Sequence, residues 1–422
     1  MRSRSTAGRF KTSNTLIARM DGNSEGNVMT DLSHAIWWHV YPLGALGAPT
    51  HAATDAPARE HAKFEPWLDY ALELGCNGLL LGPIFDSVSH GYDTLDHFRI
   101  DARLGTEADF DRLVAACKER GVQLILDGVF NHVAYSHKFI TERPDMVRWV
   151  DGHPLGWEGN FDLVELQHTN ADVQQFVGDV MLHWLRKGIT GWRLDVAYSV
   201  SPQFWSSVIG RVREEFPDAV FLGEVIHGDY PKFVEASGVD TVTQYELWKA
   251  IWSSINDSNP WELAHALERH VEFCRHFLPQ TFVGNHDVTR VASSVGADGA
   301  ALAAGVLLTV PGLPSIYYGD EQGFTGIKRE AEGGDADVRQ PLPGSPSELS
   351  TLGAQLHRWY QQLIGFRRRH AWLSTGQLAV TYKADGVLDY SISTADQRVD
   401  VHVDYAARKM SIVAPDEELH TP

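Results

Sequence analysis

Residues 106–132 read TEADFDRLVAACKERGVQLILDGVFNH. The first half predicts an amphipathic helix that begins after Thr106 and stops at Gly121, because apolar residues recur there at helical spacing (Phe110, Leu113, Val114 and Cys117). The second half, VQLILDGVF, is an almost continuous apolar run that ends in polar residues. Such runs are typical of parallel strands that are buried on both faces. Together the two halves predict one helix–strand unit of an α/β fold.

The same alternation of strand and helix continues along the chain. Eight strand candidates are each followed by a helical pattern: HAIWWHVYPL, CNGLLLGPIF, VQLILDGVF, ITGWRLDVA, AVFLGEV, VDTVTQYEL, QTFVGNHD and LPSIYYGDE. This rhythm predicts a (β/α)8 barrel of the TIM-barrel class. The alternative is a doubly wound open sheet, which a glycine-rich phosphate-binding turn after the first strand would favour. The first strand candidate is not followed by such a turn, so the barrel is preferred.

Two interruptions of this rhythm predict further domains. Residues 133–170 form an irregular stretch, rich in Asp, His, Gly, Pro and Trp, that is too long for a plain loop and predicts an excursion domain after the third strand. Residues 372–422 contain short alternating segments that predict a small antiparallel C-terminal β-domain. The barrel itself then comprises residues 31–132 and 171–371. Residues 1–30, rich in Ser, Asn, Gly and Arg, predict a flexible leader.

Composition restricts the class of partner and the compartment. The net charge of −19 at pH 7 disfavours nucleic acid and anionic membranes as partners. The basic, polar N-terminal residues lack the apolar run of a signal peptide, and no stretch was expected to span a membrane. The three cysteines are far apart and form no CxxC pair, which favours free thiols in a reducing compartment. These features predict a cytoplasmic protein.

Polar residues gather where four of the predicted strands end. They are Asp127, Asn131 and His132 after the third strand, Arg193 and Asp195 on the fourth, Glu224 and His227 after the fifth, and Asn285, His286 and Asp287 after the seventh. In a barrel these strand ends open onto one face, where active sites lie. Such a cluster suits a metal site or a pair of carboxylates that cleaves a glycosidic bond. No HxH or HxxxH motif lies near these strands, so the carboxylate pair is favoured.

The segments that carry these residues resemble a known family. DGVFNH (127–132), GWRLDVAY (191–198), GEV (223–225) and FVGNHD (282–287) are similar, in this order, to the four signature regions of the α-amylase family, glycoside hydrolase family 13. The resemblance extends from about Trp37 to the end of the chain. A fifth segment, DADVRQP (335–341), resembles a segment of the neopullulanases and cyclomaltodextrinases within that family.

The resemblance implies roles for the carboxylates at the strand ends. Asp195 would be the nucleophile, Glu224 the general acid and then base, and Asp287 the group that binds sugar hydroxyls and stabilises the distorted transition state. The acid of such a pair needs a raised pKa, whereas the nucleophile must stay ionised. Arg193, a permanent cation two residues before Asp195, is expected to lower the pKa of Asp195 and to orient it; a plain strand-end ion pair is the alternative.

The same resemblance implies sugar-binding residues. Tyr92 would stack under the sugar at the cleavage point, His132 and His286 would bond to it, and Asp335 and Arg339 would grip the non-reducing end of the substrate. Buried core histidines and a solvated loop salt bridge are the structural alternatives for these four polar residues.

Further residues are expected beside these. His90 and Asp93 are expected to line the same site, and His227 resembles a residue of the neopullulanase group. Asp127 is expected to support the strand end and Arg193 rather than touch substrate. No cofactor is predicted. Asn131 matches a position that binds calcium in many α-amylases, but the excursion shows no recognisable further ligands, so calcium is left open.

The chain also departs from its relatives. Tyr198 and Ser199 stand where relatives carry Asn-Glu or Lys-His, at positions that face the acceptor side of the site. A tyrosine there would build an apolar wall, which makes compact cyclic glucosides, including cyclic maltosyl-maltose, plausible substrates. LVELQ (163–167) replaces the subgroup marker in the excursion. The long N-terminal domain that helps the neopullulanase group to dimerise has no room before Trp37, so a homodimer is left open.

These observations predict a retaining α-glucoside hydrolase that acts on short linear or cyclic gluco-oligosaccharides, at α-1,4 or α-1,6 bonds. The alternative is a transglycosylase or glucosyl-transferring isomerase that uses the same site. A non-catalytic chain, like the amylase-like subunits of transporters, is disfavoured because all three carboxylates are present. A metal-dependent hydrolase is the remaining alternative.

Overall fold

The computed structural model describes residues 32–50, 64–331 and 333–422, and the predicted leader lies outside them. Eight parallel strands form one sheet: Trp37–Val40, Gly78–Leu81, Gln123–Gly128, Gly191–Leu194, Val220–Gly223, Thr241–Val242, Gln280–Phe282 and Leu313–Tyr317. The first strand pairs with both the second and the eighth. A parallel bridge between Thr243 and Gln280 joins the sixth strand region to the seventh and closes the barrel. The predicted fold class is confirmed.

Helices surround this barrel in the predicted alternation. The α-helices are Pro42–Ala45, Glu65–Leu74, Glu107–Glu119, Phe139–Glu142, Ala171–Lys187, Pro202–Glu215, Tyr230–Ser237, Tyr245–Asp257, Pro260–Cys274, Val291–Thr309 and Ala354–Arg369. Thr106 caps the third of these as expected: its side chain accepts a hydrogen bond from the backbone of Asp109, whose carboxylate accepts one from Thr106 in return. Short 3-10 turns occur at Leu32–His34, Pro144–Met146, Ala197–Ser199, Asp320–Gln322, Ala336–Val338, Pro346–Glu348, Thr351–Gly353 and Ala371–Ser374.

The sixth strand is much shorter than the sequence suggested. The candidate VDTVTQYEL contributes only Thr241–Val242, and a helix begins at Tyr245. The alternation of polar and apolar residues in TVTQY satisfies a strand pattern, but the chain that follows buries Leu247, Ile251 and Ile255 at a spacing of four. Helical periodicity over 13 residues therefore outweighs a short alternating run.

The helix Val291–Thr309 is long and apolar enough, with a mean hydropathy of 1.6, to cross a membrane by composition alone. The expectation that no stretch of the sequence is long and apolar enough to span a membrane is therefore wrong. Most of the helix is nevertheless buried within the domain, and its backbone leaves the helical conformation at Gly296 (φ 75°, ψ 172°). These are features of a core helix, which needs apolar residues on all sides when neighbours surround it.

Four smaller sheets complete the described fold. A hairpin after the second barrel strand (Phe85–Ser87 with Thr94–Ile100), which the sequence did not reveal, carries Tyr92 at its turn. The excursion contains a three-stranded sheet (His132–Ala134, Asn160–Glu165 and Gly156–Trp157) and a two-stranded one (Trp149–Val150 and His153–Pro154). The C-terminal sheet has five antiparallel strands, Gln377–Ala384, Val387–Ser393, Arg398–Asp404, Lys409–Val413 and Glu418–His420, the last of which was not predicted.

Candidate active site

Three carboxylates stand where barrel strands end. Asp195 directly follows the fourth strand and Glu224 the fifth, and the register pairs Leu194 with Gly223, so the two carboxylates leave neighbouring strands at the same level. Asp287 lies five residues beyond the seventh strand. All three line one cavity of about 450 Å³, which we call the catalytic cavity. The barrel thus brings together the three carboxylates that the sequence singled out.

Arg193 is the common partner of the buried carboxylates. Its Nη1 donates to both carboxylate oxygens of Asp127, at 2.8 and 2.6 Å, and its Nη2 lies 2.8 Å from Oε1 of Glu224. Asp195 is further away, with its Oδ1 3.5 Å from Nη1. Asp127 is fully buried beneath Arg193, which places it as support and away from the catalytic cavity.

Arg193 lowers the pKa of Asp195, as expected, but other effects on Asp195 outweigh it. Burial raises the pKa of Asp195 well above the ordinary aspartate value, and the neighbouring charge of Glu224 raises it further. Arg193 only opposes these two effects. The effect of Arg193 on Asp195 is limited by distance. The guanidinium makes its short contacts with Asp127 and Glu224, and its distance to Asp195 is the longest of the three. The sequence spacing of two residues could not show this competition.

Glu224 is held by three donors. Besides Arg193, the hydroxyl of Tyr245 donates to Oε1 at 3.1 Å, and the backbone N–H of Val196 donates to Oε2 at 2.9 Å. The side-chain amide of Asn285 in turn donates to the Tyr245 hydroxyl at 2.9 Å. Sequence reasoning missed Tyr245, although its position just after the sixth strand, at the carboxyl end of the barrel, was a usable signal.

Asp287 is bound from the other side of the site. Its Oδ1 lies 3.0 Å from Nη2 of Arg339, and its Oδ2 lies 3.0 Å from Nε2 of His286. Desolvation works against the charged form of Asp287, but His286, Arg339 and Arg193 together lower its pKa well below the usual value. Asp287 is therefore the carboxylate that this site keeps ionised most firmly.

Tyr92 lines the catalytic cavity and packs on further rings behind it. The Tyr92 hydroxyl donates to Oδ2 of Asp127 at 3.1 Å and also contacts Nε2 of His286. The rings of Tyr92 and Tyr41 each lie parallel to the His286 ring, with centroids 5.4 and 5.9 Å away. His286 is fully buried, so it supports Tyr92 and Asp287 and does not itself line the cavity.

The two other histidines expected near the sugar both line the cavity. His132 is buried, its Nδ1 lies 3.2 Å from the side-chain amide of Asn131, and its Nε2 has no partner within the described residues. Burial lowers the pKa of His132 to about 3, so it is neutral at physiological pH. His90 lies at the rim, where its Nδ1 accepts a hydrogen bond from the backbone of Tyr92 at 3.3 Å, and burial lowers its pKa although Asp93 opposes this.

Asp335 and Arg339 also reach the cavity, but they are paired with each other. Nη2 of Arg339 lies 2.8 Å from Oδ2 of Asp335, and Nζ of Lys328 lies 3.4 Å from Oδ1 of Asp335. The guanidinium also packs over the Tyr41 ring, 4.6 Å from its centroid. In this arrangement Arg339 positions Asp287 as well as facing the cavity, a link that the sequence did not indicate.

Tyr198 forms one wall of the cavity together with a residue of the excursion. Its ring meets the ring of Trp157 edge to face, with centroids 6.4 Å apart. On its other side the exposed His227 packs edge-on at 5.4 Å; His227 itself does not line the catalytic cavity. Trp157 was not singled out from the sequence, because nothing local indicates which excursion residues fold back over the barrel.

The donor atoms present do not fit a calcium site around Asn131. Its side-chain Nδ2 points to His132, and its backbone carbonyl accepts from Leu166 at 3.0 Å. Within residues 32–50, 64–331 and 333–422, no group of three or more His, Cys, Asp or Glu side chains is placed to hold a metal ion. We therefore derive no catalytic step through a metal.

A parallel barrel with two carboxylates on adjacent strand ends and a third across the cavity is an arrangement that (β/α)8 glycosidases present. The family model described as "Alpha amylase, catalytic domain" matches residues 66–148 and 158–389. The chain belongs to the α-amylase family of glycoside hydrolases, as the signature segments predicted.

The chain is similar to curated proteins of this family, among them a cyclomaltodextrinase and an intracellular maltogenic amylase. A cyclomaltodextrinase from Geobacillus thermopakistaniensis (strain MAS1) is 30% identical over 380 residues, which cover 82% of this chain and 62% of the relative. An intracellular maltogenic amylase from Bacillus subtilis (strain 168) is 31% identical over 283 residues, which cover 61% of this chain and 48% of the relative. The chain thus spans about three fifths of the first relative's length and half of the second's.

Among solved structures, the fold is shared with the cyclic α-maltosyl-(1→6)-maltose hydrolase from Arthrobacter globiformis in its ligand-free form. The TM-score is 0.78 at 24% identity, and the match covers 93% of this chain and 99% of that one. At this identity the likeness concerns the fold alone.

Proposed function

We propose that the protein hydrolyses α-glucosidic bonds of short linear or cyclic gluco-oligosaccharides with retention of anomeric configuration. The observation that carries this proposal is that Asp195 and Glu224 leave adjacent strands and contact the same guanidinium of Arg193. Retaining glycosidases need two carboxyl groups close together, because one of them attacks carbon directly and no water has to fit between them.

The chemistry follows from the placement of these groups. The reactive form of the site has Asp195 ionised and Glu224 protonated. In this form Asp195 attacks the anomeric carbon while Glu224 gives its proton to the glycosidic oxygen, so the glycosidic bond breaks and a glycosyl ester forms. Glu224 then takes a proton from water, the resulting hydroxide attacks the anomeric carbon, and the ester bond to Asp195 breaks. Asp287, kept ionised by His286 and Arg339, accepts hydrogen bonds from sugar hydroxyls.

Transfer to a sugar acceptor is the second candidate function. The wall formed by Tyr198 and Trp157 is the observation that favours it. Aromatic rings stack well on the apolar faces of sugars, so this wall can hold an acceptor sugar and keep water from the intermediate. Both reactions share the first half, and only the acceptor distinguishes them.

The relatives named cyclomaltodextrinase and maltogenic amylase support an α-glucan substrate. We further propose that the protein works in the cytoplasm, in line with three free cysteines and with the relative described as intracellular. No cofactor is assigned, and turnover that persists in EDTA is expected.

A product panel tests the proposal. Maltotriose, panose, pullulan, β-cyclodextrin and a cyclic maltosyl-maltose tetrasaccharide are incubated separately with the protein, and products are separated by chromatography with the anomer followed by NMR. Release of the α-anomer from at least one substrate is expected. Release of the β-anomer refutes the retaining mechanism, and products longer than the substrate identify transfer as the main reaction.

A further inference from the structure

Three cavities follow one another on the face of the barrel that carries the carboxylates. The catalytic cavity shares His90, Asp335 and Arg339 with a neighbouring cavity of about 810 Å³. That second cavity shares Tyr135 and Asp162 with a third of about 370 Å³. Because adjacent cavities have side chains in common, they form one continuous trough that runs from the carboxylates to the excursion.

The far end of this trough carries two exposed aromatic rings. Tyr135 is 54% exposed and Phe161 is 70% exposed, whereas most rings of the described chain are buried. Their backbone is well fixed, since the N–H of Tyr135 donates to the carbonyl of Asp162 at 2.9 Å and Phe161 belongs to the strand Asn160–Glu165. Tyr135 directly follows the strand His132–Ala134 and Phe161 lies within the strand Asn160–Glu165, so both rings are attached next to paired backbone.

The surroundings of these rings suit a neutral, hydroxyl-rich ligand. His153 and Asp162 line the same cavity and offer hydrogen-bonding groups beside the rings, and Asn160 lines the neighbouring cavity. Sugars present apolar faces that stack on aromatic rings and hydroxyls that bond to polar neighbours. The carboxylate of Asp162, in a protein of net charge −19, disfavours an anionic ligand.

We propose that Tyr135 and Phe161 form a platform that binds glucose units of an α-glucan lying beyond the Asp335–Arg339 pair. This inference rests on the proposed function, because it assigns the same substrate class a longer binding path. It has one direct consequence: the Asp335–Arg339 pair does not mark the end of the substrate but a point that a longer chain passes. Affinity then increases with chain length well past the units held in the catalytic cavity.

Ligand binding to an inactive protein tests this without relying on turnover. In the Asp195→Asn background, titration calorimetry measures binding of maltotriose and of maltoheptaose. With Tyr135→Ala and Phe161→Ala added together, maltoheptaose is expected to bind at least about tenfold more weakly, a change of ~1.4 kcal/mol. Maltotriose affinity is expected to change less than twofold. The matched control is Trp149→Ala, since Trp149 is also exposed on the excursion (41%) but lines none of the three cavities.

Two results would overturn the platform. If the double variant binds maltoheptaose as tightly as its parent, the two rings do not bind glucan. If it loses affinity equally for maltotriose and maltoheptaose, the substitutions disturb the site in general, and the platform is likewise refuted. Exposed rings can instead form an interface between two copies of this chain. Sedimentation of the same variants tests this alternative by measuring their oligomeric state. A changed oligomeric state with unchanged glucan affinity refutes the proposal. If Asp195→Asn instead retains full turnover, the nucleophile assignment fails, and the same binding comparison is then made in the Glu224→Gln background.

Discussion

The backbone N–H of Val196 donates a 2.9 Å hydrogen bond to Oε2 of Glu224. Val196 directly follows Asp195 and has left-handed backbone angles (φ 40°, ψ 42°), which are a genuine outlier for a β-branched residue. This conformation costs roughly 1–2 kcal/mol and turns the N–H of Val196 toward the neighbouring strand. The residue that follows Asp195 thus helps to hold the carboxylate of Glu224, so that one strained residue links the two carboxylates.

Removing either carboxylate should abolish turnover without unfolding the protein. Asp195→Asn and Glu224→Gln keep the size of each side chain but remove attack and proton transfer, so kcat is expected to fall by several orders of magnitude. Steady-state kinetics on the best substrate of the panel measures this, and circular dichroism checks the fold. Glu235→Gln, an exposed change on the helix Tyr230–Ser237, is the control. Near wild-type turnover in either active-site variant would disprove its assigned role.

The acid limb of the pH profile should depend on Glu224. The pKa of Asp195 is raised by burial and then by the charge of Glu224, and the nucleophile works only when ionised, so activity falls as the pH drops through this raised pKa. Glu224→Gln removes the charge but not the burial, and the acid limb is expected to move to lower pH. The comparison uses α-glucosyl fluoride, whose leaving group needs no proton.

His132 should not contribute to that limb, because its pKa is already lowered to about 3. If the acid limb of Glu224→Gln lies at the same pH as that of the wild-type protein, the charge of Glu224 does not raise the pKa of Asp195.

Tyr245 is expected to act as a positioning residue for the acid. Tyr245→Phe removes the hydroxyl that donates to Glu224 and also leaves the Asn285 amide without this acceptor. A lost hydrogen bond to a charged group costs about 1.5–3 kcal/mol, which corresponds to a drop in kcat of roughly 10- to 100-fold. KM should change less than twofold. The exposed Tyr382→Phe is the control, and a raised KM at unchanged kcat would instead make Tyr245 a sugar-binding residue.

The choice between cyclic and linear substrates should depend on Tyr198. Tyr198→Asn removes the ring that meets Trp157 and opens the wall of the catalytic cavity, so the ratio of kcat/KM for cyclic and linear substrates is expected to change. Rates on β-cyclodextrin, cyclic maltosyl-maltose and maltotriose measure it. Trp157→Ala should shift the ratio in the same direction because it removes the other ring of the same contact. If the ratio of kcat/KM for cyclic and linear substrates is unchanged in both variants, Tyr198 and Trp157 do not determine the choice of substrate.

Glu321 should limit stability at neutral and higher pH. Burial raises its pKa from 4.5 to about 7, so the folded protein binds a proton that the unfolded chain has lost between these values, and stability falls as pH rises through this window. Glu321→Gln imitates the protonated acid: its Oε1 can still accept from the N–H of Gly319, and its amide N–H can donate to the hydroxyl oxygen of Tyr70, which itself donates to the carboxylate in the present structure. Thermal unfolding should show a gain of up to about 3 kcal/mol at pH 8 and little gain at pH 4.5. Glu235→Gln should show neither change.

Much of the fold could be predicted because its signals are local. The capping pair of Thr106 and Asp109 and the apolar run after Gly121 specify a helix and a buried strand within 23 residues. The sixth strand could not be predicted in this way. Only pairing with Leu222 and Gly223 makes Thr241 and Val242 a strand, and such pairing is not visible along the chain.

Some residues of the candidate site could likewise be predicted from the sequence, and others could not. Asp195, Glu224 and Asp287 could be found because each follows a barrel strand, and strand ends share one face. Tyr245 follows the sixth strand and could have been found in the same way. Trp157 lies on the excursion, whose path over the barrel depends on tertiary packing, so nothing local distinguishes it from the other twelve tryptophans.

By itself, the sequence determined that this chain is a (β/α)8 barrel of the α-amylase family and which carboxylates face its open end. Hydrophobic periodicity and strand-end position are enough for that. The tertiary structure alone decided how charge is distributed among these groups. Arg193 was expected to serve Asp195, yet it makes its short contacts with Asp127 and Glu224. Electrostatic interaction depends on distance and burial in three dimensions, and separation along the chain specifies neither.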